Sequence, residues 1–436
     1  SAAAPENTDR RRAASGSNGT KWQLKRSVSN IPFNILKVHA MRSYRLITSP
    51  ESIASSKVRL YLRWKNIPFR ETVASRLVIK SEVRPRIQKI DLPVFITPGN
   101  DTVQDSRAIM DFVERRERGE ALTPDRAEQA FACRLLEGFS DTWLTDAINH
   151  RVWRGADAPI AGIMAATLYP EADDDRRSRI AKSLHARVLA QLSRRGFNSG
   201  TVASTDGLLV SFLALLEAHL SCSAFIFGDR PSIADFAIAA ALTTLRDRAP
   251  QGAALITKSP KTFTWLSAVN APQSPQIGAG RAVAGLPKTL VALLSFAAAQ
   301  FLPHALATAD AVGDWGEANP GKLNLPKRVG QSARCDDDLN VRRDFRPQTQ
   351  WLLVRNHSKA EKDALARSLD AIGCASLAGY KPRRTVCHEH HNFRLDLVDR
   401  GDAYLPEMTL RRASDLMSDV RRDASDSVGI ENLVTG

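Results

Sequence analysis

Between residues 43 and 120 the chain switches repeatedly between two hydrophobic periods, and the order of the switches leaves few folds open. Tyr44-Arg45-Leu46-Ile47 alternates as a short strand. Ser49-Pro50 turns the chain, and Ala54 to Lys65 then carries Val58, Tyr61 and Leu62 on one helical face. Asn66-Ile67-Pro68 stops this helix, because proline has no amide proton to give and restricts the residue before it. Phe69 to Ala74 reads as a second strand, Arg76 to Gln88 as a polar helix, and Pro93-Val94-Phe95-Ile96-Thr97 as a third strand. Pro98-Gly99-Asn100-Asp101 is a turn by composition. Thr102-Val103-Gln104 is a short fourth strand, and from Asp105 a helix turns Ile109, Phe112 and Val113 inward. The order β-α-β-α-β-β-α predicts a parallel strand pair joined by a right-handed crossover, followed by an antiparallel hairpin.

After Gly119-Glu120-Ala121-Leu122-Thr123-Pro124 the period is helical almost throughout residues 124–380. Pro124 is expected in a first helical turn, and residues 124–150 read as one long helix. Within it His150, beside Trp143 and Trp153, reads as a packed side chain and not a catalytic one. Asp206 to Leu220 is a further buried helix. Ser232 and Asp235 have the S-x-x-D spacing of a capping box, a structural device. The apolar run Leu290 to Leu302 is expected to end at Gln300, Pro303 and His304. A run of that length predicts a core helix, and no transmembrane segment is expected.

The charge is concentrated at one end. Residues 1–42 carry eight Lys or Arg against Glu6 and Asp9, a net +6 of the chain's +14. Such an arm is too polar to fold alone, and its Arg- and Ser-rich composition is that of organellar targeting regions. Residues 381–436 balance nine basic against ten acidic residues, with an amphipathic stretch around Leu410 to Val420. Cys387-His388-Glu389-His390-His391 has ligand residue types but no second cluster at metal-ligand spacing, so no metal site is predicted. Five scattered cysteines form no disulfide framework and suit a reducing compartment.

Three segments carry a family resemblance. Ser52-Ile53-Ala54-Ser55-Ser56-Lys57-Val58-Arg59-Leu60-Tyr61-Leu62-Arg63-Trp64-Lys65-Asn66-Ile67-Pro68-Phe69 resembles the glutathione S-transferase opening S-P-F-S-x-K-V-R-x-x-L-x-x-K-x-I-P-F. Leu92-Pro93-Val94-Phe95-Ile96-Thr97-Pro98 is similar to the family's V-P-V-L-x-x-P, and Val103 to Ile109 to its L-x-[ED]-S-x-A-I. Phe225 to Phe236 and Phe345 to Leu352 extend the likeness, the latter toward an extended, bacterial-type branch. It covers roughly residues 43–370. The resemblance implies an α/β thioredoxin-like domain at 43–120 followed by an all-α glutathione-transferase C-terminal domain at 124–380. A basic extension, 1–42, and a tail, 381–436, flank them.

The resemblance also implies glutathione as ligand or co-substrate. Pro93, held cis in the family, would turn the backbone of Leu92 toward a peptide ligand. Ser106 would hold the γ-glutamyl carboxylate and Asp105 the ammonium group, while Ser52 would act on the thiol. Asp105-Ser106 serves equally as a helix cap. An alternative register makes Ser49-Pro50 the S-P pair, and in either register the loop departs from the family pattern. Two functions follow as expectations. One is a glutathione S-transferase-like protein. The other is a catalytically degenerate structural subunit of a large mitochondrial assembly, a respiratory complex or ribosome. A protein partner is expected through residues 1–42 and 381–436, and nucleic acid only indirectly, within a ribosome. A homodimer stays open. The expected location is the mitochondrion, otherwise the cytoplasm.

Overall fold

The computed structural model describes residues 43–395 apart from 88–89, 118, 156–157, 272–284, 332–337, 341–358 and 390–391. Phe345–Leu352, the arm 1–42 and the stretch Leu410 to Val420 lie outside the described residues, as do the side chains of Cys387 to His391.

The first domain follows its periodicity, except that the helix expected over Arg76 to Gln88 ends at Val83. Strand β1 (Tyr44–Thr48) leads to helix α1 (Ile53–Trp64), strand β2 (Phe69–Val73) and a short helix α2 (Arg76–Val78), which continues as a π turn over Ile79–Val83. Strands β3 (Val94–Ile96) and β4 (Thr102–Gln104) precede helix α3 (Ser106–Arg116). The sheet order is β2-β1-β3-β4. β1 runs parallel to β2 with Tyr44 opposite Phe69, and antiparallel to β3 with Leu46 opposite Phe95. β3 and β4 form the antiparallel hairpin. Helix α1 is buried on more than the one face expected, since Ser55, Lys57 and Leu60 are enclosed along with Val58, Tyr61 and Leu62.

The second domain is helical. Helix α4 (Ala127–Phe139) passes through a π turn, Ser140–Leu144, into α5 (Thr145–Trp153). The long helix therefore spans residues 127–153, and Pro124 stands outside it. Tertiary bonds hold the linker instead: the Leu122 amide donates to Glu114 and the Leu122 carbonyl accepts from the Ile233 amide. Helices α6 (Pro159–Leu168), α7 (Asp174–Arg194), α8 (Val202–Leu220), α9 (Ile233–Arg248), α10 (Gly252–Thr257) and α11 (Pro260–Asn270) follow.

Helix α12 (Lys288–Ala318) corrects an expectation, because it runs through Pro303 instead of ending there. Proline forfeits one helical hydrogen bond, but Phe301, Leu302 and Ala305 around it are buried, so core packing carries the helix past the defect. By length and composition alone α12 and residues 199–220 are able to cross a membrane. Here each lays an apolar face on the core, α12 through Leu290, Leu293 and Leu294, α8 through Phe212, Leu213 and Leu216. Gly138 lets α12 approach α4, since a Cβ there would meet the Phe301 ring at 2.8 Å.

The helical reading also missed a hairpin, β5 (Arg328–Gln331) with β6 (Asp338–Asn340), where Gly330 takes a positive φ of 58°. Helix α13 (Lys359–Ala371) and a second hairpin, β7 (Val386–Glu389) with β8 (Asn392–Leu395), complete the described chain. The start of the tail is fastened to α12: Tyr380 donates to Asp310 at 2.7 Å, and Arg383 reaches Asp314 and Glu317.

Candidate functional site

The β1–α1 loop is built from hydroxyls and one carboxylate. Ser52 is the N-cap of α1, and its oxygen accepts the Ser55 amide at 3.1 Å. The Ser52 amide donates to the Ser49 carbonyl, and the Ser49 amide to the Ser55 hydroxyl. Each bond consumes a backbone group that a helix start would otherwise leave unsatisfied. The Ser49 hydroxyl donates to Glu51 at 2.7 Å, and the other Glu51 oxygen accepts from Thr167 of α6 at 2.9 Å. Ser49, Glu51 and Ser52 are all buried. Two residues beyond Thr167, the Tyr169 ring meets the guanidinium groups of Arg76 and Arg176, each 5.7 Å from its centroid. The end of α6 thus closes on the first domain beside this loop.

The second part of the site is at the start of β3 and of α3. The Leu92–Pro93 peptide is cis, and both residues are buried. Asp105 caps α3: one carboxylate oxygen accepts from the amides of Arg107 at 2.9 Å and Ala108 at 3.2 Å. It holds a positive φ of 84°, unusual for a residue with a side chain, and Asp is among the few that tolerate it. Ser106 opens the helix, and its hydroxyl oxygen is buried with no hydrogen-bond partner among the described residues. A buried hydroxyl without a partner costs about 1–3 kcal/mol, which makes it the group here most in need of a ligand atom.

Next to Ser106 begins a cluster that sequence reading missed. Arg107 binds Asp111 at 2.7 Å and also Glu137 of α4. Lys57 of α1 reaches Glu137 and Asp141, both at 2.7 Å, and Arg134 reaches Glu137 at 3.0 Å and Asp111 at 3.2 Å. Three cations and three carboxylates therefore bridge the domains in one buried hub. Burial alone would push the Lys57 ammonium down, but Asp141 and Glu137 outweigh it and leave it raised. Burial likewise opposes ionisation of Glu137, yet Arg107, Lys57 and Arg134 hold it well below the usual carboxylate range. Lys57 and Tyr61 stand one turn apart on α1, and Glu137 and Asp141 one turn apart farther on. That i, i+4 spacing puts Lys57 on the buried face of α1, but nothing local in the sequence names its partners.

The remaining expected residues are accounted for in the second domain. Ser232 and Asp235 form the capping box of α9, the Ser232 amide donating to Asp235 at 2.8 Å. Asp235 also accepts from the Ile226 amide and the Trp265 indole, at 3.0 and 2.8 Å. His150 is buried, 6.1 Å ring to ring from Phe197, and burial, then Arg154, pushes its imidazole pKa down. Cys133 is enclosed, and burial raises its thiol to about 11, so it is no nucleophile at neutral pH.

The fold and these sites define a protein with a thioredoxin-like domain followed by a helical domain, with a candidate ligand site on the first. Residues 46–121 match the family model for the glutathione S-transferase N-terminal domain, and residues 201–268 that for the glutathione S-transferase C-terminal domain. Over these two segments the chain resembles the glutathione S-transferase family. Among solved structures it is similar to a glutathione S-transferase-like protein from Pseudomonas syringae, at 22% identity and a TM-score of 0.37. That match covers 52% of this chain and 66% of the other, so the chain spans just under two thirds of that relative's length. FzlA from C. crescentus is 22% identical over 54% of this chain and 95% of its own, with a TM-score of 0.35. A glutathione S-transferase from Methylobacillus flagellatus KT, solved with glutathione bound, is 19% identical over 52% of this chain and 94% of its own, with a TM-score of 0.32. No curated protein matches the chain.

Proposed function

We propose that this protein binds glutathione on its thioredoxin-like domain, with the γ-glutamyl carboxylate at Ser106 and the thiol at the N-terminus of α1 beside Ser52. The observation that carries this reading is the buried, unpartnered Ser106 hydroxyl at the first turn of α3. The helix start adds free amides and a positive dipole end, both favourable to a carboxylate. Asp105 supports the site chiefly by capping α3, and its second oxygen is the group that would meet the ligand ammonium. Leu92, ahead of Pro93, would offer backbone to the extended peptide.

Isothermal titration of glutathione into the full chain tests this reading. Ser106→Ala should weaken binding by about 1–3 kcal/mol, the cost of leaving a charged partner unpaired. Undiminished affinity would remove Ser106 from the site, and no heat from the wild-type protein would remove the site itself. A second reading, a structural subunit of a mitochondrial assembly, is supported by the +6 charge of residues 1–42. Deleting those residues should then release the protein from its complex in a mitochondrial fraction, and an unchanged cytoplasmic distribution would refute it.

A further inference from the structure

We infer that Glu51 keeps glutathione bound at this site in the thiol form, so that the protein holds the peptide without activating its sulfur. The inference rests on the reading that the sulfur lies at the N-terminus of α1. A helix start by itself favours thiolate, through its dipole and free amides. Glu51 opposes that effect directly, because it places a buried carboxylate in the residue next to the N-cap.

The bonds around Glu51 come from neutral groups. Its two oxygens accept from the hydroxyls of Ser49 and Thr167, both neutral groups that solvate a carboxylate without cancelling its charge. Among the described residues no cation is bonded to it. The cations on neighbouring elements do not bond to it. Lys57 binds Glu137 and Asp141, Arg59 binds Glu71, and Arg76 and Arg176, which keep their charge, lie over the Tyr169 ring. The other carboxylate near the loop, Glu71, accepts from Thr48 and is neutralised by Arg59.

One of these bonds redirects a hydroxyl that would otherwise donate to a thiolate: Ser49 gives its proton to Glu51. The Ser52 oxygen accepts the Ser55 amide, which fixes that hydroxyl as the cap of α1. The alternative S-P register therefore supplies no better activator than Ser52 does, since its serine is the one bound to Glu51. What remains is a site that recognises the γ-glutamyl and backbone groups and leaves the S–H bond intact. Its ligand class is accordingly the γ-glutamyl tripeptide with any small sulfur substituent, S-methylglutathione as much as glutathione.

The test measures the thiolate ultraviolet absorbance of bound glutathione against pH, in the full-length wild-type protein, Glu51→Gln and Glu51→Asp. Glutamine keeps the shape and one of the two acceptor oxygens and removes the charge, while aspartate keeps the charge. The wild-type and Glu51→Asp proteins should titrate no lower than free glutathione. Glu51→Gln should titrate at least about one pH unit lower, a tenfold gain in thiolate at neutral pH. In parallel, isothermal titration should give S-methylglutathione and glutathione affinities within about threefold of each other on the wild-type protein, less than the tenfold that one 1.4 kcal/mol interaction would make. A wild-type protein that binds glutathione as thiolate at neutral pH overturns the inference and leaves the site standing. So does an identical titration in wild type and Glu51→Gln. Absence of binding to both peptides overturns the site and the inference together.

Discussion

Helix α1 joins the two domains twice, and the two junctions are chemical opposites. Near its start, Lys57 enters the hub of Glu137, Asp141, Arg107, Asp111 and Arg134. Near its end, Tyr61 meets Phe236 edge-on at 6.0 Å, Trp64 meets Phe225 at 5.8 Å, and the Trp64 indole donates to the Val269 carbonyl at 2.9 Å. The aromatic junction gains free energy by removing apolar area from water and demands little of its geometry. The ionic junction gains little net, because desolvating six charges offsets most of their attraction. It contributes orientation instead. Charges that are tolerable only when paired fix α3, with Ser106 at its start, against α4.

The sharpest way to break this comparison is Glu137→Ala. It leaves Lys57, Arg107 and Arg134 facing too few carboxylates in a closed space, and should cost about 3–5 kcal/mol in denaturant unfolding. The effect should also depend on pH. Folding lowers the Glu137 pKa from its usual value of 4.5. Its contribution is then complete above that value and is lost as the pH falls toward the folded one. The stability gap between wild type and Glu137→Gln should therefore narrow as the pH drops below the ordinary carboxylate range. A gap independent of pH would mean that the hub acts by packing.

Asp235→Ala probes the aromatic junction from behind. Asp235 holds the Ile226 amide and the Trp265 indole, and so fixes the turn that presents Phe225 to Trp64. Losing a cap and leaving buried donors unpaired should cost about 2 kcal/mol. Burial raises the Asp235 pKa, so this loss should grow as the pH falls through the carboxylate range, the opposite sense to Glu137. A cost below about 0.5 kcal/mol, within the range of an ordinary surface change, would mean the turn is held by its apolar contacts alone.

These junctions also show what a single sequence discloses. The β-α-β-α-β-β-α order was legible because each element announces itself by a local period, and the Ser232–Asp235 box because its partners are three residues apart. The hub was not, since Lys57 meets partners 80 and 84 positions away, and no local period records such a meeting. Pro303 misled for the same reason: local propensity ends a helix there, and burial on either side continues it. Of the proposed site, Ser52, Pro93, Asp105 and Ser106 could be named from motifs. Glu51 could not, because its bond to the second domain comes from Thr167, 116 residues onward.

Thr167→Val tests the smallest of the interdomain contacts. Valine matches threonine in shape and removes only the hydroxyl that donates to Glu51. Because Glu51 keeps the bond from Ser49, its carboxylate is not orphaned, and the loss should be about 0.5–1.5 kcal/mol. Glu51 bonds to Ser49 and Thr167 and the hub turns on Glu137, so this cost should add to that of Glu137→Ala within about 0.5 kcal/mol in a double-mutant cycle. If the cycle instead returned more than about 1 kcal/mol of coupling, the Glu51 contact and the hub would be one cooperative seam. The contrast drawn between the two ends of α1 would then have to include a third junction, ahead of its first turn, that moves with the ionic one.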